Sequence, residues 1–418
     1  MNFLQSVNYL NSFVNLERLT HGIQNRFLNL DRMRLLLEWA DHPEKSFFPV
    51  VIAGTKGKGS TGFFLESILS EAEIPCGFYS SPHLETPRER IRIRGSLISE
   101  RRWAAGLSAI RRILSKKRMA QVAEPFTYFE IMTLLAMLVF KDAKIRVGIF
   151  EVGLGGRLDA VNVLEAPLAV LTPIDMDHED FLGHTLAKIA AEKAGIIHAR
   201  AEVVTAPQKS AALKVIRARV HQCRATLHPV RAARSVHAGL FGPHQKINAA
   251  VAQKAAEVLQ ARFGFKIPGS AVKRGLAKSH WPGRFETIAG KPGVILDCAH
   301  NPVSVRALVS ALRSAKLKGP RILLFGVTQD KNFKEMLRAL AGYFDEIIVT
   351  PLTGNPRGRE TGSILPEAAR YFKAVYSAAS PAEALAIARH RLSRDGWLVA
   401  TGSFYLIGSL RPLVKKLP

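Results

Sequence analysis

Cysteine is nearly missing from this chain. Cys76, Cys223 and Cys298 are the three in 418 residues, odd in number and far apart. This excludes a disulfide framework and a cysteine-based zinc site, and it points to a reducing compartment. Long apolar runs are missing too. The longest apolar-rich one, Ile131 to Phe140, is too short to span a bilayer. The N-terminus, Met1 to Leu16, mixes Asn, Gln and Ser with its apolar residues and does not read as a signal peptide. A cytoplasmic protein without a membrane partner is expected. Acidic residues are scarce, 34 against 59 Lys and Arg, for a net charge of +25. Such an excess draws anions: nucleotides, acidic substrates or nucleic acid. There is no low-complexity segment and no short internal repeat. Hydrophobic content of 47% with 22% charge fits a soluble globular protein, and the length predicts two domains.

The most informative stretch present is Val50-Val51-Ile52-Ala53-Gly54-Thr55-Lys56-Gly57-Lys58-Gly59-Ser60-Thr61. An apolar run ends in a glycine-rich turn, and helical spacing follows from Gly62 to Ala72. Strand, glycine loop and helix form the context of a phosphate-binding loop, although Gly54-x-x-Gly57-Lys58-x-Ser60 is shorter than the usual form. The glycines let backbone N–H groups face a phosphate, and the helix N-terminus adds its positive dipole end. A plain strand–helix turn is the bland alternative. Lys56 and Lys58 count against it, because two like charges gain nothing in such a turn.

Residues 1–47 read as helical, with a break at His42-Pro43. Strands are expected at 76–79, 146–150, 168–171 and 202–205, and helices at 101–119, 126–140, 185–193, 210–222 and 246–262. After Trp281-Pro282-Gly283-Arg284 the alternation restarts, with strands at 294–298, 321–325, 346–350 and 397–400. Helices are expected there at 303–314, 332–342, 366–372, 381–393 and 404–416. This spacing predicts a doubly wound α/β sheet followed by a smaller parallel α/β domain. Arg88, Arg90, Arg92 and Arg94 share a face if that segment is extended. It then reads either as an anion-facing ribbon or as a charged edge strand that resists aggregation.

A phosphate loop needs a magnesium ion to neutralise the phosphates. Ser81, Glu151 and His178 each stand at the expected end of a strand, where α/β proteins place ligands. Alone, each has an ordinary reading as turn residue, cap or loop histidine. Three at successive strand ends beside one phosphate loop point to a site.

Seven segments in order carry a resemblance: Gly54–Thr61, Ser80–Leu84, Glu151–Arg157, Asp177-His178, Glu192–Ile196, Trp281–Arg284 and Asp297–Pro302. Together they resemble folylpolyglutamate synthases and dihydrofolate synthases of the Mur ligase superfamily, over nearly the whole chain. The resemblance implies an α/β fold in two parts. Residues 1–285 would form a P-loop, Mur-ligase-like ATPase domain on a parallel sheet, which also binds pteroate. Residues 286–418 would form a smaller Rossmann-like C-terminal domain that binds glutamate.

The implied enzyme is an ATP-dependent amide ligase. It would add L-glutamate to 7,8-dihydropteroate, to reduced folates, or to both, through an acyl phosphate. Carboxylates are poor electrophiles, so a phosphate must be attached as leaving group, and the protein's work is positioning and charge neutralisation. By the same resemblance Thr55, Lys56, Gly57, Lys58, Gly59 and Ser60 hold ATP, with Asn248 at adenine, Arg284 at the phosphates across a domain cleft and Asp297 at ribose. Ser81, Glu151, His178 and a carbamylated Lys193 serve two magnesium sites, with K+ or another monovalent cation as a further candidate. Lys58, Lys193 and His300 are the implied catalytic set. Without the family, Lys193 reads as a surface lysine. Pteroate is assigned to Arg26-Phe27-Leu28, to Thr127-Tyr128-Phe129-Glu130 and to Leu158-Asp159-Ala160. An aromatic pair can stack on a flat ring and a carboxylate can accept pterin N–H donors. As plain sequence, Thr127 and Glu130 also make a sound helix start, with Tyr128 and Phe129 in the core.

Lys56 stands where the family usually carries Asn, Val161 where it carries Thr, and Cys298 where it carries a small residue. A monofunctional folylpolyglutamate synthase is one alternative. A cell-wall Mur-type ligase would share the loop and the carbamylated lysine, but the Ser-Pro-His-Leu and Thr-Tyr-Phe-Glu stretches favour the folate branch. A nucleic-acid-dependent P-loop ATPase would explain the charge, yet no nucleic-acid module accompanies the clusters Arg111-Arg112 and Lys116-Lys117-Arg118. No nucleic-acid partner is therefore expected, and the family precedent is a monomer.

Overall fold

Wherever a short β-branched or aromatic run is followed by a helical stretch, the chain lays down a parallel strand. The computed structural model describes residues 1–15, 29–117, 124–177, 179–231, 238–288 and 290–416. They form two units. The first comprises Met1–Ser81, Arg88–Ala238 and Lys246–Ser279, and the second Pro82–Pro87, Gly239–Gln245 and His280–Pro418.

The first unit begins with helices α1 (Phe3–Asn11) and α2 (Asp31–Trp39). Strand β1 (Phe48–Ala53) leads into α3 (Lys58–Glu71), followed by β2 (Cys76–Tyr79), β3 (Ile91–Ile93) and β4 (Ser96–Leu97). Then come α4 (Glu100–Lys116), α5 (Tyr128–Asp142), β5 (Val147–Glu151), β6 (Leu168–Leu171), α6 (Glu179–Leu182) and α7 (Leu186–Ala194). The series ends with β7 (Glu202–Thr205), α8 (Ser210–Gln222), β8 (Thr226–Pro229), α9 (Pro243–Phe263) and α10 (Gly269–Lys278). From Lys246 onward, α9 belongs to this unit.

The eight strands run in the order β4-β3-β2-β5-β1-β6-β7-β8. Pairing is parallel from β2 to β8, whereas β3 and β4 are antiparallel. The central strands β2, β5, β6 and β7 are buried throughout, as parallel strands covered on both faces must be. On one face Trp103, Phe140 and Phe150 anchor a core shared with α2, α4 and α5. Ile52 pairs with Glu151 and Ala53 with Leu171, so β1, β5 and β6 end side by side.

The second unit carries β9 (Glu286–Ile288), β10 (Gly293–Leu296), α11 (Pro302–Ala315), β11 (Arg321–Phe325), α12 (Phe333–Ala341) and β12 (Glu346–Val349). It continues with α13 (Thr361–Ala368), β13 (Ala374–Ser377), α14 (Pro381–Arg391), β14 (Trp397–Thr401) and α15 (Phe404–Val414). The order is β13-β12-β11-β14-β10-β9, parallel except for β9. Both sheets are thus parallel with antiparallel edge strands rather than purely parallel.

Two local expectations are corrected. The arginines from Arg88 to Arg94 do not share one extended face. Pro87–Arg90 is a 3₁₀ turn, and Arg90 is buried with its guanidinium 5.3 Å from the Tyr128 ring centroid. The helix expected at 366–372 is α13, which begins earlier and holds Pro366 inside it. Pro366 is the sixth residue of this eight-residue helix, past the first turn where a missing N–H costs nothing, and the helix ends two residues later at Ala368.

Candidate active site

The glycines of the phosphate loop are required by close approach. A Cβ on Gly54 would sit 1.9 Å from Thr172 Oγ1, and one on Gly57 would sit 2.2 Å from Asn248 Oδ1. Gly57 has φ +85 and precedes the first residue of α3, so the chain reverses into the helix through a left-handed residue. Asn248, buried on α9, therefore stands directly against the loop. Gly59, Ser60 and Thr61 are buried in the first turn of α3, and the Thr61 hydroxyl has no partner among the described residues.

Lys58 and Lys193 converge. Lys58 Nζ donates to Gly54 O at 3.2 Å, and Lys193 Nζ donates to the same oxygen at 3.0 Å. Lys193 is 4% exposed, which corrects its reading as a surface lysine. Burial foremost, and then the nearby Lys58 charge, push its pKa down to about 7, against the opposing pull of Asp177, Asp159 and Glu192.

Two glycine turns seat this lysine. A Cβ on Gly156 would lie 2.7 Å from Glu192 O and 3.1 Å from Lys193 Cα, and a Cβ on Gly195 would lie 2.5 Å from Arg157 Cβ. Arg157 N–H donates to Glu192 O at 2.9 Å, and its guanidinium reaches Glu192 Oε1 at 3.0 Å. Asn162 Nδ2 ties the two segments again, donating to Arg157 O and Gly195 O.

Ser81 N–H donates to Glu151 Oε2 at 3.2 Å, which brings together two of the residues assigned to magnesium. A serine hydroxyl and a 6% exposed carboxylate are hard oxygen donors and fit that ion. His178 lies outside the described residues, as do Arg26, Phe27 and Leu28. Among the described residues, no group of three His, Cys, Asp or Glu side chains is placed to hold a metal.

The other residues assigned to pteroate divide. Thr127 and Glu130 form a reciprocal capping box at the start of α5. Glu130 also pairs with buried Arg32 at 2.9 Å, so its carboxylate is engaged on both sides. Tyr128 is buried in the core. Phe129 reaches the glycine turn after β5, where a Cβ on Gly153 would lie 2.7 Å from its ring. Asp159 accepts N–H bonds from Gly153 and Leu154 at 2.9 Å and from Val161 at 3.1 Å. Burial outweighs these bonds and the Lys58 charge, and it pushes the Asp159 pKa up to about 6. Ala160 is buried behind it and Leu158 is half-buried.

In the second unit, Asp297 follows β10 and accepts N–H bonds from Phe285 at 2.8 Å and Ala299 at 2.9 Å. Burial raises its pKa against the pull of the Arg284 charge. The Arg284 guanidinium lies 5.1 Å from the Phe404 ring centroid, and the His300 ring lies 5.5 Å from the same ring. The imidazole Nδ1 is 2.9 Å from Cys298 O, and Asn301 caps α11. Phe404 thus links Arg284 with His300, a role that sequence reading missed because an aromatic at a helix start looks like core. Asp175 was missed as well. Its side chain binds Lys56 at 3.5 Å and Lys209 at 2.7 Å, which long-range placement alone reveals.

Residues 52–224 match the Mur ligase middle domain, and residues 283–404 match the glutamate ligase domain of Mur ligases. A Bacillus subtilis dihydrofolate synthase/folylpolyglutamate synthase is 35% identical over 348 residues, 77% of this chain and 80% of the relative. The chain belongs to the folylpolyglutamate synthase family. A Lacticaseibacillus casei folylpolyglutamate synthase is 30% identical over 98% of both chains. Among solved structures, a Mycobacterium tuberculosis folylpolyglutamate synthase complexed with ADP superposes with a TM-score of 0.87. It is 29% identical, over 100% of this chain and 99% of that one. E. coli FolC in complex with DHPP and ADP is 28% identical with a TM-score of 0.86, over 99% and 98%. The Mur-ligase-like α/β architecture read from the sequence is borne out. Among the described residues, no helix is long and apolar enough to cross a membrane.

Proposed function

We propose that this protein is an ATP-dependent ligase that joins the amine of L-glutamate to the carboxylate of dihydropteroate, of a reduced folate, or of both. The observation that carries the reading is the convergence of Lys58 and buried Lys193 on Gly54 O, in a family of glutamate ligases. The phosphate-loop N–H groups and Lys58 bind the ATP phosphates. Asn248, which abuts Gly57, is assigned to adenine, and Arg284 and Asp297 to phosphate and ribose. The carboxylate oxygen of the pteroyl substrate attacks the γ-phosphorus and ADP leaves. The neutral glutamate amine then attacks the acyl carbon, the C–N bond forms with loss of one proton from nitrogen, and the C–O bond breaks to release inorganic phosphate.

Ser81 and Glu151 would hold magnesium, which supplies charge neutralisation for the phosphates. A lysine held near pKa 7 keeps a large neutral fraction at neutral pH. Its nitrogen lone pair can therefore add to CO₂ with loss of one proton, giving the carbamate. That carbamate turns a cation into an anion beside Lys58. The Phe129 ring and the turn from Gly153 to Asp159 line the pteroyl side, whereas Thr127, Tyr128 and Glu130 support it from the core. His300, positioned through its Nδ1, serves nucleotide or glutamate.

The three cysteines are free, which supports work in the reducing cytoplasm. Action as a monomer without nucleic acid completes the reading. The test is product mass after incubation with MgATP, L-glutamate and either 7,8-dihydropteroate or tetrahydrofolate. One added glutamyl unit on dihydropteroate establishes the first activity, and extension of tetrahydrofolate the second. Neither product from a folded protein refutes the ligase.

A further inference from the structure

Lys56 and Lys58 take different acceptors, Asp175 Oδ2 and Gly54 O. The Lys56 ammonium lies 3.5 Å from Asp175 Oδ2, and Lys209 takes the other oxygen at 2.7 Å. The carboxylate accepts one backbone N–H, from Met176 at 3.1 Å, and the rest of the backbone here is held without it. Thr55 and Lys56 N–H groups donate to Pro173 O at 3.1 and 3.4 Å. Thr55 Oγ1 donates to Asp175 O at 2.9 Å and accepts the Asp175 N–H at 3.0 Å. Gln208 takes the Ile174 N–H and donates to Thr172 O, both at 3.0 Å. With the loop's path fixed this way, what the carboxylate contributes to Lys56 through Oδ2 is electrostatic. Its side chain is 16% exposed, whereas Lys56 is 39% and Lys209 61% exposed. Burial raises its pKa, but the Lys209 hydrogen bond, the Met176 N–H and the two ammonium charges outweigh it, so the group is ionised at neutral pH.

We propose that Asp175 is an internal counter-anion that holds Lys56 until the more highly charged phosphates of ATP draw that ammonium across, so that Asp175 sets nucleotide affinity by competing for Lys56. The proposal deepens, and rests on, the ATP-dependent reading above. Asp175 is a positioning residue that acts through Lys56. The pair is long and solvent-accessible on the lysine side, and pairs of that kind shift an equilibrium by about twofold to fivefold.

Calorimetric titration of ATP, without folate or glutamate, into the full-length protein and its variants tests this. Asp175→Asn is expected to bind ATP about threefold tighter, and Lys56→Asn more weakly. In the Lys56→Asn background, Asp175→Asn is expected to give no gain. A merely structural residue would not show that dependence. Asp175→Glu, which restores the charge, should reverse the gain. If Asp175→Asn fails to melt cooperatively, Asp175→Ser is measured in its place with the same expectations. Unchanged or weaker binding by the charge-removing variant overturns the proposal, and so does a gain that persists without Lys56. Loss of ATP binding by the wild-type protein would instead overturn the phosphate-loop reading itself, which keeps the two failures distinguishable.

Discussion

Replacing Lys193 by methionine should make the protein more stable at pH 6. The lysine is buried and shares Gly54 O with a second ammonium group, so its charged form is disfavoured in the folded state. Its pKa falls from 10.5 to about 7. With each tenfold in proton affinity worth about 1.4 kcal/mol, the charged lysine costs the fold about 5 kcal/mol below pH 7. Methionine removes that penalty and gives up one hydrogen bond to a charged donor, worth about 1.5–3 kcal/mol. A net gain of roughly 2–3 kcal/mol is expected at pH 6.

The sign follows from proton counting. Between about pH 7 and 10.5 the unfolded chain binds a proton at Lys193 that the folded chain does not, so wild-type stability rises with pH across that window. The variant lacks this rise, and its advantage should vanish near pH 9. Urea melts of both proteins at pH 6 and pH 9, in buffer stripped of CO₂ so that no carbamate forms, measure the difference. A variant less stable than wild type at pH 6, or a difference independent of pH, would refute the reasoning.

Two further substitutions separate nucleotide binding from support. Gly57→Ala places a methyl 2.2 Å from Asn248 Oδ1 at φ +85, and calorimetry should show ATP affinity falling by more than about tenfold while the far-ultraviolet spectrum stays native. Glu130→Gln leaves Arg32 buried without its carboxylate, so a urea melt should show a loss of about 3–5 kcal/mol with KM for the pteroyl substrate nearly unchanged. A raised KM at unchanged stability would return Glu130 to the substrate.

The strand–loop–helix logic of the first unit was legible because each piece is local. Gly54 to Ser60 announce a phosphate loop by spacing, and apolar runs announce the buried strands beside it. The meeting of Ser81 with Glu151 was also within reach, since neighbouring strand ends converge. The short strands β4, β8, β9 and β13 were not foreseen, and β3 was foreseen only as part of a longer extended ribbon. They are two to four residues long, and β4, β8 and β13 lack the continuous buried apolar run that made the equally short β2, β6 and β7 legible. Thr127–Glu130 illustrates a different limit. The same four residues fit a pterin contact and a capping box, and only Arg32, 98 positions away, tells which demand the carboxylate meets.

Lys193 is the clearest case of burial hidden from sequence. A lysine after a glutamate near a helix end is unremarkable, and its helix presents an ordinary pattern. What makes it different is that Gly156 and Gly195 let two turns approach closer than any side chain would allow. With that approach Lys193 is 4% exposed, and Gly54 O is its acceptor. The glycines after β5 therefore look like a ligand-binding turn, while at Gly156 their physical task is to admit helix α7. The lowered pKa is a consequence of that packing together with Lys58. It follows that the lysine's reactivity should depend on Gly156 and Gly195 as much as on any charged neighbour, because either residue enlarged would push the ammonium back towards solvent.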